Sequence, residues 1–276
     1  MSLGDWMDWR EKLANVTSEN ESLLCVGLDS DEKKIPAFLQ QSSKNPLFDF
    51  NKAIVDATKD LVCAYKLNMA FYEVAGKKGF DALEKTIQYI PHHILIILDG
   101  KRNDIGNTAQ KYAQSLFETL KADAVTINPY LGKDGVSPFL EYTHKCSFIL
   151  CRTSNPSAGD FQDLVVSSTP VYQIVAQKIH EWNTNKNCGA VVGAPYPEEL
   201  KTVRALLGEE IPILIPGVGR QGGDVEKTVR NGTNSHGEMA LINSSREIIF
   251  AGDQQDFAEQ ARKKAVTIRN DINNYR

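Results

Sequence analysis

The chain has 276 residues, of which 42% are hydrophobic and 24% are charged, and its formal net charge at pH 7 is −4. This length and composition are typical of a globular protein with a large buried core, and they exclude collagen-like and low-complexity sequences. The small negative charge argues against a broad surface for nucleic acids or membranes. The apolar run at residues 94–98 is far shorter than the roughly 20 residues that span a bilayer.

The five cysteines are odd in number and widely spaced, and most of them lie within apolar runs. Such usage is typical of reduced, buried thiols in a cytoplasmic protein rather than of a disulfide framework or a zinc site. The first residues also lack the basic and apolar regions of a secretory signal peptide. We therefore predict a cytoplasmic protein with no membrane segment and no metal site.

Short apolar runs rich in Val, Ile and Leu recur along the chain, as expected for parallel strands that are buried on both faces. The eight runs cover residues 23–28, 61–67, 94–98, 124–127, 147–151, 190–193, 213–215 and 239–242. Stretches with helical periodicity lie between them, the clearest at residues 80–90, 107–120, 171–182, 198–207 and 257–272. Eight strands that alternate with helices over about 250 residues predict an α/β fold, a (β/α)8 TIM barrel, as one domain over residues 1–276.

An additional helix is predicted before the first strand. Trp6, Trp9 and Leu13 fall near helical spacing. We expect this N-terminal helix, within residues 1–22, to close one end of the barrel.

Polar residues follow the predicted strands at their C-terminal ends. They are Asp29 after strand one, Lys66 at the end of strand two, Asp99 and Lys101 after strand three, Ser154 after strand five, residues 217–223 after strand seven and Arg246 after strand eight. The N-terminal ends of the strands carry no comparable set. Because the catalytic groups of a TIM barrel lie at the C-terminal ends of its strands, we expect these residues to form one site.

Strand three carries the most informative part of this site. Alternation along the strand places Asp99 and Lys101 on one face, Asp104 follows three residues later, and Lys66 on the neighbouring strand can reach the same place. An ordinary ion-pair network is the alternative interpretation. Charges at a barrel mouth are costly to desolvate unless they are paired, so an alternating array of Lys and Asp can hold one ammonium group rigid and charged.

The glycine-rich segment 216–224 predicts a phosphate site. Glycines let backbone N–H groups approach a phosphate closely, and the loops after strands seven and eight are the usual phosphate site of this fold. Arg246 can add a charge-assisted hydrogen bond from the next strand. Gly217, Gly219 and Gly222 also match the G-x-G-x-x-G pattern of nicotinamide-binding proteins, but that motif normally opens the first βαβ unit and here it follows six strands.

Residues 99–108, with the sequence DGKRNDIGNT, closely resemble the D-x-K-x-x-D-I-x-x-T motif of the orotidine 5′-phosphate decarboxylase family. Further matches to that family are CVGLD at 25–29, NPYLG at 128–132, PGVG at 216–219 and SSR at 244–246. The core D-x-K-x-x-D also occurs in sugar-phosphate relatives, whereas Ile105 and Thr108 make the match more specific. The resemblance covers about residues 23–249 and is to the longer, second group of the family.

The resemblance implies decarboxylation of orotidine 5′-phosphate to UMP with neither a metal nor an organic cofactor. It implies that Lys101 donates the proton and that Asp99 faces the substrate carboxylate. The binding roles that it implies fall to Asp29 and Lys66 at the ribose hydroxyls, Ser154 at the pyrimidine, and Gly217, Gly219, Gln221 and Arg246 at the phosphate. Arg220 is an alternative phosphate ligand, but Arg246 follows strand eight in the Ser-Arg pattern that the family uses.

The resemblance also implies a homodimer. Asp104, together with Ile105 and Thr108, would reach into the active site of the neighbouring subunit, which makes Asp104 a catalytic residue in trans.

Two other functions fit parts of this sequence. A magnesium-dependent sugar-phosphate decarboxylase or synthase of the same superfamily would keep the D-x-K-x-x-D core. A non-catalytic nucleotide-binding barrel would keep the phosphate site, but here every acid, base and phosphate-binding position of the family pattern is intact.

Overall fold

The structure is a computed structural model that describes residues 8–218 and 224–276. Its strands are β1 (Leu24–Gly27), β2 (Ala64–Asn68), β3 (Leu95–Arg102), β4 (Ala124–Ile127), β5 (Cys146–Arg152), β6 (Val165–Val166), β7 (Thr169–Pro170), β8 (Cys188–Val192), β9 (Ile213–Pro216) and β10 (Ala240–Ser244). Eight of them are parallel and close into a barrel in the order β1-β10-β9-β8-β5-β4-β3-β2. Strands β6 and β7 form a separate antiparallel hairpin in the segment between β5 and β8.

Helices alternate with the barrel strands. In the described ranges they are α1 (Trp9–Glu19), α2 (Ala37–Ser42), α3 (Pro46–Thr58), α4 (Met69–Glu73), α5 (Gly76–Tyr89), α6 (Gly106–Gln114), α7 (Lys133–Leu140), α8 (Val171–Trp182), α9 (Pro197–Leu207), α10 (Val225–Gly232), α11 (Arg246–Ile249) and α12 (Phe257–Asn273). A π-helical turn, Ser115–Thr119, continues α6. The predicted TIM barrel with an extra N-terminal helix is confirmed.

Each of the eight predicted apolar runs overlaps one barrel strand. Their side chains are buried because the barrel interior covers one face of each strand and the helices cover the other. The largest difference is in β3, which continues to Arg102 rather than ending at Leu98. An irregular pairing with β4 occurs between these two residues, and it lies in the site described below.

Helix α1 packs against the N-terminal end of the barrel. Leu13 on its inner face is buried, and Lys12 Nζ lies 2.5 Å from Oδ2 of Asp123, the residue directly before β4. The helix is thus fixed at the end opposite to the predicted site. It is shorter than the predicted segment 1–22, of which residues 1–7 lie outside the described part of the chain.

In the described ranges no helix is both long enough and apolar enough to cross a membrane. All five cysteines are buried free thiols. Burial raises the pKa of Cys25, Cys151 and Cys188 to about 12 each.

Candidate active site

A pocket of about 450 Å³ opens at the C-terminal end of the barrel. This volume lies in the range of roughly 300–1,000 Å³ that is usual for small-molecule sites. The predicted site residues that line it are Asp29, Lys66, Asp99, Lys101, Ser154, Gly217 and Arg246. Two other predicted residues, Gly219 and Gln221, lie outside the described residues, as does Arg220. Asp104, Ile105 and Thr108 do not line this pocket in their own chain.

Asp99 binds two ammonium groups at the centre of the pocket. Its Oδ2 lies 3.1 Å from Lys66 Nζ, and its Oδ1 lies 2.7 Å from Lys101 Nζ. Lys66 Nζ also lies 3.4 Å from Asp29 Oδ1. Lys66 and Asp99 are buried, whereas the side chain of Lys101 is 48% exposed. The buried carboxylate therefore holds an ammonium group that faces the open pocket.

The charges in this cluster stabilise one another. Burial by itself would raise the pKa of Asp99, but the ammonium groups of Lys66 and Lys101 outweigh burial and hold that pKa well below its ordinary value. Burial by itself would lower the pKa of Lys66, but Asp29 and Asp99 outweigh it and raise that pKa well above its ordinary value. Asp99 and Lys66 are therefore both charged at neutral pH.

A bulge in β3 shapes the backbone around this cluster. Leu98 pairs with Val125 of β4, and the next paired residue of β3 is Arg102, opposite Ile127. Lys101, inside the bulge, has a φ of +46°, in the left-handed region that non-glycine residues rarely adopt. The alternation of a regular strand therefore ends before Lys101, and the bulge helps to aim its side chain.

Thr126 of β4 was not among the predicted site residues, yet it contacts two residues of the bulge, Asp99 and Lys101. Its Oγ1 lies 2.7 Å from Asp99 Oδ1 and accepts a hydrogen bond from Lys101 N at 3.0 Å. In the sequence Thr126 is one β-branched residue in a short apolar run, so no local pattern distinguishes it. Its position opposite the bulge becomes visible only once the two strands are paired.

The segment that follows β5, residues 153–162, lines one side of the pocket. Thr153, Ser154 and Gln162 all line it. Gln162 Oε1 accepts a hydrogen bond from Thr153 N at 2.8 Å, and Gln162 Nε2 donates one to Thr153 Oγ1 at 2.9 Å. The buried guanidinium of Arg152 lies 3.8 Å from the ring centroid of Tyr196. These contacts fix the backbone that carries Ser154.

The guanidinium of Arg152 connects the start of this segment to its end. Arg152 donates through Nη1 to Thr153 O and through Nη2 to Asp163 Oδ2, both at 3.0 Å. The strand-end pattern predicts Ser154 but neither Gln162 nor Arg152, because the contacts of these two residues depend on how the loop folds.

The far side of the pocket has the features of an anion site. Gly217 has a φ of 101°, a backbone conformation that favours glycine, and Arg246 begins helix α11 beside it in the pocket wall. Strand β1 approaches this wall closely, because a Cβ on Gly27 would lie 1.8 Å from Ser245 Oγ. An exposed arginine and a positive-φ glycine at the end of a barrel suit a phosphate group.

Asp104, Ile105 and Thr108 lie on a different surface. Asp104 Oδ1 accepts a hydrogen bond from Ile105 N at 2.8 Å, Ile105 is 59% exposed and Thr108 is also exposed. The family resemblance implies that these three residues enter the site of the neighbouring subunit, which stays a prediction; in their own chain they lie outside the pocket.

Exposed aromatic and aliphatic side chains lie next to them. The side chain of Asn103 donates a hydrogen bond to Asn128 O, which joins the loop after β3 to the loop after β4. In the second loop Tyr130 is 81% exposed and Leu131 is exposed. Such an exposed apolar group is typical of a protein–protein interface.

Comparison with known proteins identifies the family to which the chain belongs. Residues 22–261 match the model of the orotidine 5′-phosphate decarboxylase / HUMPS family. A protein of Cellvibrio japonicus named orotidine 5′-phosphate decarboxylase is 48% identical over 272 residues, which cover 97% of this chain and 98% of that protein. A protein of Azoarcus sp. (strain BH72) with the same name is 48% identical over 274 residues, which cover 98% of this chain and 100% of that protein.

Solved structures are similar over nearly the same length. Leishmania donovani OMP decarboxylase is 35% identical with a TM-score of 0.81, and the match covers 96% of this chain and 99% of that one. A structure from Toxoplasma gondii is 36% identical with a TM-score of 0.84, and the match covers 96% and 98% of the two chains. With relatives this similar over almost its whole length, the chain belongs to the orotidine 5′-phosphate decarboxylase / HUMPS family.

Proposed function

We propose that this chain removes CO₂ from orotidine 5′-phosphate and produces UMP, the last step of de novo pyrimidine nucleotide synthesis. The observation that carries the proposal is the Lys101 ammonium group, which faces the pocket while the buried Asp99 holds it at 2.7 Å. The relatives from Cellvibrio japonicus and Azoarcus, named for this activity, support it.

The reaction breaks the bond between C6 of the orotate ring and its carboxylate carbon. CO₂ leaves, the electron pair of that bond remains on C6, and Lys101 Nζ then transfers a proton to C6. Lys101 regains its proton from solvent, which its half-exposed side chain can reach. A fixed cation beside C6 stabilises the negative charge that develops there, and it is most effective where water is excluded.

The other charged residues hold this cation in place. Because Asp99 and Lys66 are both charged and buried, the carboxylate cannot turn toward solvent without leaving an uncompensated charge. Asp99 also faces the substrate carboxylate in this proposal. Lys66 and Asp29, 3.4 Å apart at the side of the pocket, would bind the ribose hydroxyls.

The substrate lies between the two walls of the pocket described above. Ser154 would hydrogen-bond the pyrimidine, and Gly217 and Arg246 would bind the phosphate together with Gly219 and Gln221. Contacts to a phosphate that is remote from C6 can still lower the barrier, since their binding energy can drive closure of the site around the ring.

The active form in this proposal is a homodimer. Asp104, Ile105 and Thr108 would enter the pocket of the second subunit, with Asp104 next to Lys101 there. The exposure of Ile105 and of the neighbouring Tyr130 supports this arrangement. An isologous twofold interface gives both sites the same residues in trans.

The reaction needs no metal and no organic cofactor, since the ammonium group supplies both the positive charge and the proton. Both oxygens of Asp99 already bind ammonium groups, which favours this chemistry over a magnesium-dependent reaction on a sugar phosphate. The five buried free thiols fit a cytoplasmic location.

Loss of orotate absorbance on adding the purified protein to orotidine 5′-phosphate tests the proposal, with UMP identified as the product. We expect turnover that is unchanged by excess EDTA. Turnover that EDTA abolishes and Mg²⁺ restores would contradict it, as would tight binding of 6-azauridine 5′-phosphate without any turnover of orotidine 5′-phosphate.

A further inference from the structure

The bulge in β3 leaves one backbone group of the site without a partner in the sheet. Between the pairs Leu98–Val125 and Arg102–Ile127, the residues 99–101 of β3 lie opposite Thr126 alone. Lys101 N–H therefore cannot follow the regular ladder, and its left-handed φ turns it toward the side chain of Thr126. Backbone N–H groups in native proteins nearly always have a hydrogen-bond partner, and for Lys101 N–H the threonine hydroxyl supplies it.

The direction of both hydrogen bonds follows from the donors that are present. A backbone N–H can only donate, so Thr126 Oγ1 accepts from Lys101 N at 3.0 Å. The hydroxyl proton is then free to be donated to Asp99 Oδ1, 2.7 Å away. Asp99 is ionised beside two ammonium groups and can accept it. One hydroxyl thus connects the backbone of Lys101 to the carboxylate that binds the Lys101 side chain.

We infer that Thr126 is a positioning residue for decarboxylation, whose hydroxyl fixes the Lys101 backbone and the Asp99 carboxylate relative to each other. Lys101 is held at two points, at its N–H by Thr126 and at its Nζ by Asp99, and Thr126 joins these two points. The inference rests on the proposed function, in which Lys101 gives its proton to C6.

The buried position of Thr126 makes this role specific. It is almost completely buried, although it lines the wall of the pocket. Its hydroxyl accepts one hydrogen bond from Lys101 N and donates one to Asp99 Oδ1, so we expect it to act on the substrate through these two neighbours. A small displacement of an acid from the reacting atom lowers the rate of proton transfer more than it lowers substrate affinity.

Thr126→Val keeps the shape of the side chain and removes the hydroxyl, while Thr126→Ser keeps the hydroxyl. For Thr126→Val we expect kcat to fall by about 30-fold or more, with KM for orotidine 5′-phosphate and Kd for UMP within about threefold of wild type. Thr126→Ser should retain kcat within about threefold.

Thr58→Val is the matched control. Thr58 is buried on α3 and does not line the pocket, and its hydroxyl also makes two hydrogen bonds, to Ile54 O and to Tyr65 Oη, each at 2.7 Å. This variant should lose stability and keep kcat. Thr126→Ala is a second variant without the hydroxyl, for which the same separation of kcat from KM is expected if Thr126→Val does not fold.

The inference is wrong if Thr126→Val folds and keeps kcat within threefold, if Thr126→Ser is as slow as Thr126→Val, or if KM rises in the same proportion as kcat falls. These outcomes all require an active wild-type protein. A wild-type protein without turnover of orotidine 5′-phosphate would instead contradict the proposed function, and the two failures are therefore distinguishable.

Discussion

Lys66 and Asp99 form a buried ion pair on adjacent barrel strands, with 3.1 Å between Nζ and Oδ2. Each charge compensates the other, because burying an isolated charge would lower the free energy of unfolding by several kcal/mol. The site therefore depends on this ion pair, and the contribution of the pair to the free energy of unfolding changes with pH.

Asp99→Asn should lower the free energy of unfolding by about 3 kcal/mol at pH 7, since it leaves the Lys66 ammonium group with reduced compensation. The pKa of Asp99 in the folded protein lies below its ordinary value of 3.8. Its stabilising contribution is therefore present above about pH 4 and is lost as the pH falls toward the folded-state pKa. Urea unfolding at a series of pH values should give a difference between wild type and variant that shrinks below pH 4.

Asp81→Asn is the control for this experiment. Asp81 forms an ion pair with Lys85 at 2.8 Å, but both side chains are about half exposed. Its removal should change the free energy of unfolding by less than about 1 kcal/mol at any pH. A difference for Asp99→Asn that stays constant from pH 7 to pH 3 would contradict the assignment of a low pKa to Asp99.

Lys101→Ala should abolish turnover and leave the fold intact. The ammonium group acts mainly in the transition state and its side chain is half exposed, so kcat should fall by at least about a thousandfold. Steady-state kinetics and the thermal unfolding midpoint measure the two effects. A variant that keeps a tenth of wild-type kcat would rule out Lys101 as the proton donor.

Arg246→Ala should act through the phosphate of the substrate. Arg246 lines the pocket at its glycine-rich side, and a charge-assisted bond to phosphate contributes to binding in the transition state. We expect a large loss in kcat/KM for orotidine 5′-phosphate and little change for the nucleoside orotidine, which has no phosphate. If Arg220→Ala shows this pattern and Arg246→Ala does not, the choice of Arg246 is wrong.

The dimer proposal predicts complementation between two inactive variants. If each site combines Lys66 of one subunit with Asp104 of the other, a mixed dimer of Lys66→Ala and Asp104→Ala has one site with both changes and one intact site. Random exchange makes about half of the dimers mixed, so about a quarter of wild-type activity should return.

Equal amounts of the two variants are mixed, exchange is confirmed by native mass spectrometry, and activity is measured. Each variant kept alone is the control and should be nearly inactive. Complete exchange without recovered activity would place Asp104 in the site of its own chain.

The barrel could be predicted because each of its strands overlaps a short apolar run that is buried between the barrel interior and the helices. The hairpin of β6 and β7 could not be predicted, because only two residues of each strand pair and Val165 and Val166 are exposed. Nothing in the apolar pattern distinguishes those valines from core residues.

The site could be predicted only where a residue lies at the end of a strand. Asp29, Lys66 and Asp99 meet because the C-terminal ends of parallel strands converge in a barrel. Thr126 and Gln162 escaped prediction because their contacts depend on a bulge and on a folded loop. Simple alternation placed Asp99 and Lys101 on one face, but it gave no sign of the bulge that determines the backbone of Lys101.

The buried thiols of the barrel strands allow the opening of the barrel to be measured by chemical labelling. Cys25, Cys63 and Cys188 lie on barrel strands or directly before them, buried and largely protonated at neutral pH, so an alkylating reagent can reach them only when the barrel opens. The rate of alkylation under native conditions therefore measures how often the strands separate. A ligand that binds only the closed barrel slows that rate in proportion to 1 + [L]/Kd, so UMP affinity becomes measurable from thiol labelling alone, without any catalytic turnover.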